Sequence, residues 1–445
     1  MDRKLNILYI SHYYPPEVNA PALRVSELSG HWADQGHHVT VLTGFPNHPS
    51  GNISDEYQGL IKTKEKHGNI KVIRTYVYAV PNKDFFKRIL NYLSFMFSAI
   101  VLGTGSVGRP DVLIATSPQF FVAVAGYVIS LIKHCKFIFE VRDLWPEEIV
   151  AVGVIKNRFI IKFLEAMEMF LYRQADLVVA VAQGTIDTLI QRGIPQDKLV
   201  LIPNGVEIEH FQNGNGNGNG HLKKLLGFED KFLVSYIGTH GLAHRLDTVL
   251  DAASQLKSNN QIQFLFVGDG AEKQKLVTRA KDLQLDNVYF HDQIDRNRVL
   301  SFYEASDLFL VPLRKADLFT RNIPSKIYEI MAARKPMIIA TEGESRKLVE
   351  ESGAGLGVTP EDGNELADRI KYLFENKDLC QSMGESGYAF VLANASRKRL
   401  AEDYLKVLHR LTDEKRPDTK IVLIRMAEHE IESQKENRVR DLVGS

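Results

Sequence analysis

Ile323-Pro324-Ser325-Lys326-Ile327-Tyr328-Glu329 places a hydroxyl, an ammonium and a carboxylate within five residues, at the start of what the pattern marks as a helix. Ile327, Ile330 and Met331 recur at helical spacing, and Pro324, with its fixed φ and no N–H, belongs at or just before a first turn. A helix beginning near Ser325 turns its unpaired N–H groups, at the positive end of its dipole, toward phosphate oxygens. Glu329 in that turn can accept hydrogen bonds from vicinal hydroxyls, so the segment suits a diphosphate beside a ribose. Taken alone, the same residues also read as a capped helix in which Glu329 only complements the dipole.

The elements that must position this segment follow from the rest of the chain. At 445 residues, 44% hydrophobic and 25% charged, it can bury a large core and divide into two or three domains. Lys+Arg and Asp+Glu both number 55, which gives no global basic surface for nucleic acid. Cys135 and Cys380 stand far apart without metal-ligand spacing, so neither a disulfide nor a zinc site is expected. Met1-Asp2-Arg3-Lys4 runs directly into a strand-like Leu5 to Ile10 with no signal-peptide pattern, and a cytoplasmic location is the expectation.

Strands and helices alternate through the first half: strands at Leu5 to Ile10, His38 to Thr43, Ile70 to Val77, Asp111 to Ala115, Phe137 to Val141, Leu177 to Val181 and Leu199 to Ile202. Between them fall helical patterns such as Ala22 to Gln35, Phe120 to Lys133, Phe159 to Gln174 and Gln183 to Arg192. This predicts a parallel sheet covered on both faces. Pro203-Asn204-Gly205-Val206 and the Asn-Gly run from Asn213 to Gly220 mark a boundary, after which a second βα series begins at Phe232. The expected fold is therefore α/β, with two Rossmann-like domains facing across a cleft: 1–203, 204–394, a C-terminal helix at 395–412 returning to the first domain, and a polar tail at 413–445 with an apolar patch, Ile421 to Ile424. Ligands in such sheets sit beyond the carboxyl ends of the strands. One segment, 83–102, is apolar with basic residues at its start, Lys83, Lys87 and Arg88. It is short for a membrane span and reads either as a helix on a bilayer surface or as a buried core helix.

Four motifs in order, Pro203-Asn204-Gly205-Val206, Phe266-Val267-Gly268-Asp269-Gly270, Ala305-Ser306-Asp307-Leu308-Phe309-Leu310-Val311-Pro312, and the Pro324-to-Ala333 segment followed by Lys335-Pro336, resemble the retaining, nucleotide-sugar-dependent glycosyltransferases of family 4, which have the GT-B fold. The resemblance spans most of residues 5 to 411. Ser11-His12-Tyr13-Tyr14-Pro15-Pro16-Glu17, Gly44-Phe45-Pro46-Asn47-His48-Pro49 and Glu140-Val141-Arg142-Asp143-Leu144-Trp145-Pro146-Glu147 further resemble the bacterial O-antigen and capsule subgroup that includes N-acetyl-L-fucosaminyltransferases.

The resemblance implies a donor site with Glu329 at the ribose, Ser325 and Lys326 at the diphosphate, Gly238, Thr239 and Gly268 on the adjoining loops, and the base near Phe290, Asp292 and Gln293. The family's Gly-Arg strand end is replaced by Gly238-Thr239-His240, so the basic role is expected to pass to Arg245 or His244; Arg245 also reads as a solvated helix-start residue. Where the family often has a first glutamate, eight positions before Glu329, this chain has Arg321. Asp143, Arg245 and Lys326 are the candidate catalytic residues. Asp143 is expected to accept the acceptor hydroxyl's proton or to stabilise an oxocarbenium-like centre, and could instead cap the turn before Trp145. Asn19, Arg24 and Arg142 are the candidate acceptor contacts. The implied reaction is retaining transfer from a UDP-sugar, with N-acetyl-L-fucosamine as one candidate sugar, to a lipid-diphosphate-linked saccharide at the inner membrane face. No cofactor or metal is expected, because no Asp-x-Asp pair occupies the site. Two rivals share the architecture, a nucleotide-sugar 2-epimerase and a non-catalytic sugar-nucleotide-binding scaffold. A NAD enzyme does not fit, since Gly268-Asp269-Gly270 lacks the third glycine of that fingerprint.

Overall fold

The computed structural model describes residues 3–413 apart from 49, 81–84, 118–119, 146, 148–156 and 213–218. Lys83, most of the Asn-Gly run and the tail from 414 onward, with its Ile421 to Ile424 patch, lie outside the described residues.

Eight strands form the first sheet: β1 (Asn6–Ile10), β2 (His38–Gly44), β3 (Lys62–His67), β4 (Ile70–Thr75), β5 (Val112–Thr116), β6 (Lys136–Val141), β7 (Leu177–Ala180) and β8 (Leu199–Leu201). Their order is β3-β4-β2-β1-β5-β6-β7-β8, parallel except for the β3–β4 pair. The inner strands are apolar runs such as Val-Leu-Ile-Ala-Thr in β5, buried at every position, as a sheet covered on both faces requires. β3, Lys-Thr-Lys-Glu-Lys-His, alternates exposed and half-buried positions; its charges protect an edge from further pairing.

The second sheet contains β9 (Phe232–Ile237), β10 (Ile262–Val267), β11 (Val288–His291), β12 (Leu308–Pro312), β13 (Met337–Ala340) and β14 (Gly355–Val358), all parallel in the order β11-β10-β9-β12-β13-β14. In each sheet the strand order reverses once, beside β1 and β5 in the first and beside β9 and β12 in the second. The crevices opened there are the natural ligand sites of doubly wound sheets.

The helices cover both sheet faces: α1 (Ala20–Asp34), α2 (Phe85–Ser98), α3 (Phe121–Lys133), α4 (Arg158–Gln174) and α5 (Gln183–Gln191) in the first half, then α6 (Ile208–Gln212), α7 (Asn219–Leu225), α8 (Asp247–Gln255), α9 (Lys273–Asp282), α10 (Arg296–Ala305), α11 (Lys326–Ala332), α12 (Glu344–Glu351), α13 (Gly363–Glu375), α14 (Lys377–Asn394) and α15 (Arg397–Thr412). α15 leaves the second domain and packs on the first. Its Leu400, Ala401, Tyr404 and Leu408 join Leu5, Ile7 and Trp32 in one core, and the Trp32 indole donates to the Ala401 carbonyl at 2.9 Å.

α2 joins the two readings of the 83–102 segment. Tyr92, Phe95, Met96 and Ala99 are buried, while Leu90, Phe97 and Val101 are 54%, 58% and 73% exposed. The helix thus packs one face into the core and presents an apolar face outward. Among the described residues no helix is long and apolar enough to cross a membrane.

Candidate active site

The crevice of the second sheet is built first by backbone. The loop after β9 passes so close to the loop after β10 that a Cβ on Gly268, where φ is +139°, would lie 2.0 Å from the Gly238 carbonyl oxygen. Gly238, at φ +147°, likewise leaves room for Lys326, whose Nζ would stand 2.6 Å from a Cβ there. Glycine alone tolerates both the left-handed backbone and the contact. These two positions explain why Gly238 and Gly268 stand where a diphosphate would approach main chain.

Lys326 occupies the centre of this crevice. Its Nζ donates to the Ile237 carbonyl at 3.0 Å and lies 4.0 Å from the Tyr236 ring centroid, a cation–π contact. Burial brings its pKa down to about 8, against the opposing pull of Glu329. His244 faces the same space across Tyr236, at 5.8 Å between rings, and burial together with Lys326 pushes it down to about 3, so it is neutral at pH 7. Thr239 is exposed, and its carbonyl accepts from the Tyr236 hydroxyl at 2.8 Å.

Glu329 is oriented by the Tyr303 hydroxyl, which donates to its Oε2 at 2.8 Å. Tyr303 is itself buried and stacked on Phe309, so the carboxylate is set by a rigid aromatic pair. Ser325 and Glu329 line a cleft whose other walls include Val18, Ala20 and Leu23 of the first domain and Asn204 to Glu207, His210 and Phe211 of the crossover. α11 is only seven residues long, and the Ile327 and Tyr328 N–H groups are taken by the Pro324 and Ser325 carbonyls, at 3.1 Å each. The expected weight of this helix's N-terminus in holding phosphate therefore shifts to the Lys326 ammonium.

Phe290 stacks on Phe266 with ring centroids 5.0 Å apart, and exposed Asp292 pairs with Lys273 at 2.6 Å; Lys273 also ties the mouths of β10 and β11 through the Gly268 and His291 carbonyls. Arg245 is not drawn to the crevice centre. It pairs with Asp247 at 2.9 Å and lies 3.6 Å from Glu361, so its charge is engaged beside α8. His240 was not among the expected residues. It is fully buried between Tyr236, Phe266 and Phe290, neither ring nitrogen has a partner, and burial, then Lys273, lowers it to about 4. Its place one residue after Thr239, the position that replaces the family's arginine, was the available signal.

On the first domain, the three expected acceptor residues separate. Asn19 caps α1, its Oδ1 accepting from the Ala22 N–H at 2.9 Å, with Nδ2 buried and unpartnered. Arg24 is not in the cleft. It is fully buried, and its guanidinium donates to Glu140 and to the Ile202 and Pro203 carbonyls at 2.7–3.2 Å, so it clamps the crossover from below instead of meeting an acceptor. Arg142 follows β6, its N–H bonded to Ser117 Oγ at 2.8 Å, with Nε and Nη1 unpartnered. Asp143 is half-buried and close enough to raise the pKa of Arg142.

Arg321 does not point at the Glu329 site. It reaches across to the first domain, 3.6 Å from Glu147 and 3.2 Å from Thr188 Oγ1, and a Cβ on Gly184 would come within 2.9 Å of its Cα. Beside it, Glu344 accepts from the Gln183 and Gly184 N–H groups at 2.8 Å each and so caps α5 from the opposite domain.

Residues 22–210 match the family described as Glycosyltransferase Family 4, and residues 221–390 match Glycosyl transferases group 1. The chain is a glycosyltransferase of GT-B fold. This glycosyltransferase is similar to WcaI of Escherichia coli, whose name assigns it provisionally to colanic acid biosynthesis, with 24% identity across 82% of this chain and 91% of the relative. It is also similar to the probable glycosyltransferase WbjE of Pseudomonas aeruginosa, at 25% identity across 64% of this chain and 70% of the relative. Among solved structures, HepE of Anabaena in complex with UDP and glucose superposes with a TM-score of 0.69 at 18% identity, covering 91% of this chain and 99% of that one. WaaG, a glycosyltransferase involved in lipopolysaccharide biosynthesis, gives 0.66 at 14% identity, covering 90% and 99%. The two Rossmann-like domains of the glycosyltransferase are thus those of the GT-B fold.

Proposed function

We propose that this glycosyltransferase transfers a sugar, with retention, from a UDP-sugar to a lipid-diphosphate-linked saccharide in the assembly of a bacterial surface polysaccharide. The observation that carries the donor assignment is a Tyr303-oriented Glu329 with a half-buried Lys326 one turn before it on the same helix. The carboxylate spans the ribose hydroxyls, and the ammonium neutralises the diphosphate. HepE, similar in fold, holds UDP and glucose, which supports the choice of uridine.

As the C1–O bond to the diphosphate breaks, its electron pair leaves with UDP, and Lys326 stabilises the charge that develops there. The acceptor oxygen forms the new C1–O bond and gives its proton to Asp143 or to solvent beside it. His244, neutral at pH 7 with its ring N–H held by the Pro312 carbonyl, borders the diphosphate without adding a second cation. An N-acetylhexosamine, N-acetyl-L-fucosamine among the candidates, is the donor sugar favoured by the three N-terminal motifs.

The acceptor reading rests on the outer face of the first domain. Leu90 and Phe97 of α2, Val101 just beyond it, and Phe159, Ile160 and Phe163 of α4 at 85%, 48% and 62% exposure are apolar side chains open to solvent, and Lys87, Arg158 and Lys162 on the same segments are exposed. That chemistry suits the surface of an anionic bilayer and supports an acceptor carried on lipid at the cytoplasmic face of the inner membrane.

A panel of UDP- and GDP-sugars, offered with and without short-chain lipid diphosphate saccharides, tests the reaction, with product anomeric configuration read by NMR. Acceptor-dependent release of UDP with an α-linked product from an α-linked donor is expected. An isomerised nucleotide sugar formed without acceptor contradicts transfer and points to the epimerase; binding without turnover points to a scaffold.

A further inference from the structure

Two arginines sit at the carboxyl end of the first sheet, and they differ in one respect. Arg24 spends its guanidinium on Glu140 and two carbonyls. Arg142 is 8% exposed, yet its Nε and Nη1 have no partner among the described residues. A buried guanidinium with unspent donors is costly to fold around, and proteins retain such groups where something else completes them.

Among the described residues, the neighbouring carboxylates do not complete it. Both oxygens of Glu140 are already occupied, by Arg24 on one side and by the Tyr9 and Thr116 hydroxyls at 2.8 Å on the other. Asp143 offsets part of the charge but takes no hydrogen bond from Nε or Nη1. Burial, with Arg24 adding to it, lowers the pKa of Arg142 to about 10, which still leaves it a cation at pH 7. It follows the last residue of β6, at the carboxyl end of the first sheet where doubly wound folds take ligands, and five residues later Glu147 meets Arg321 of the opposite domain at 3.6 Å.

We infer that Arg142 is an anion-binding post on the acceptor side, where its guanidinium takes a phosphate or carboxylate group carried by the molecule that enters over the first sheet. Guanidinium is suited to both groups, because its planar donors match paired anionic oxygens. The inference rests on the reading that the acceptor approaches over this domain, and it narrows that acceptor to one bearing an acidic group close to the reacting hydroxyl: a lipid phosphate or an acidic sugar.

Inorganic phosphate and D-glucuronate, titrated separately into the full-length protein and followed by melting temperature, test this. For wild type and for Lys326→Ala, at least one anion is expected to raise the melting temperature by about 2 °C or more at saturating levels, while Arg142→Met stays unmoved. A response to phosphate alone assigns the lipid phosphate, and a response to glucuronate alone assigns the acidic sugar. Without ligand, Arg142→Met is expected to melt at or above wild type, since it removes an uncompensated charge and keeps the volume. Arg142→Lys, which keeps the charge and loses the planar donors, is expected to weaken the anion response at least about fivefold. Equal anion responses in wild type and Arg142→Met, no response in wild type, or a marked drop in the melting temperature of Arg142→Met each overturn the inference. UDP binding that is unaltered in Lys326→Ala counts against the donor reading alone and leaves the Arg142 result standing.

Discussion

Lys326 shows how a single side chain can be held ready at a cost in solvation. The protein removes the ammonium from water and gives it one carbonyl, one ring face and a carboxylate one turn away, so its pKa falls to about 8. The cation is present below that value and lost above it. The donor KM of wild type is therefore expected to rise above about pH 8, approaching tenfold per unit, whereas Lys326→Arg, which does not deprotonate, should give a flat profile. Parallel profiles in the two proteins would remove Lys326 from the diphosphate. Gly268 makes a steric prediction: Gly268→Ala places a methyl 2.0 Å from the Gly238 oxygen and forces the two loops apart. A loss of about 2 kcal/mol or more in unfolding free energy is expected, measured by denaturant titration. At this scale the sequence made Glu329, Lys326 and the glycines legible, because the family motif spells them in order. It did not reveal the fate of Arg24, whose partner Glu140 lies 116 positions away, nor that His240 is walled in by three rings drawn from β9, β10 and β11.

Among the elements, the apolar strands and the longer helices follow directly from period and length. β3 was missed because its alternation is between charged and polar residues, and β14, Gly-Leu-Gly-Val, because its glycines hide a strand buried by its neighbours. α2 could not be resolved from sequence, since a helix with one face in the core and an equally apolar face outside has no polar side to reveal its orientation. The exposed face gives a direct test: replacing Phe97, Phe159 and Phe163 with serine should release the protein from anionic vesicles in a sedimentation assay, with melting temperature unchanged because these side chains are outside the core. Equal sedimentation of variant and wild type would contradict the bilayer assignment. α1 offers a pH test. His31 pairs with Glu207 of the crossover at 3.0 Å; the hydrogen bond from Glu207 raises the His31 pKa over the opposing effect of burial, while Glu207, despite burial, is held down to about 2 by His31 and Glu209. The histidine contribution is complete below its usual 6.5 and disappears as pH rises through its raised value, and the glutamate contribution is lost only as pH falls from 4.5 toward 2. Relative to His31→Gln, wild type should lose about 1 kcal/mol of stability between pH 6 and pH 9, a modest figure because the pair is partly exposed.

Across the whole molecule, the two domains are joined at three places, two of which the sequence did not announce. Arg24 and Arg397 grip the crossover through the Ile202, Pro203 and Gly205 carbonyls, α15 seals the back of the first sheet, and Arg321 with Glu344 bridges the far side of the cleft. Arg321, where the family often has a glutamate, belongs to the contact between domains. The cleft between these joints is where the account places the nucleotide. Calorimetric titration of UDP into wild type and Glu329→Ala tests that placement most directly. Loss of the ribose hydrogen bonds should weaken UDP by about 2 kcal/mol, roughly 30-fold, with the melting temperature of the unliganded protein little changed. UDP affinity equal to wild type in Glu329→Ala would contradict the assignment of this cleft to a nucleotide sugar.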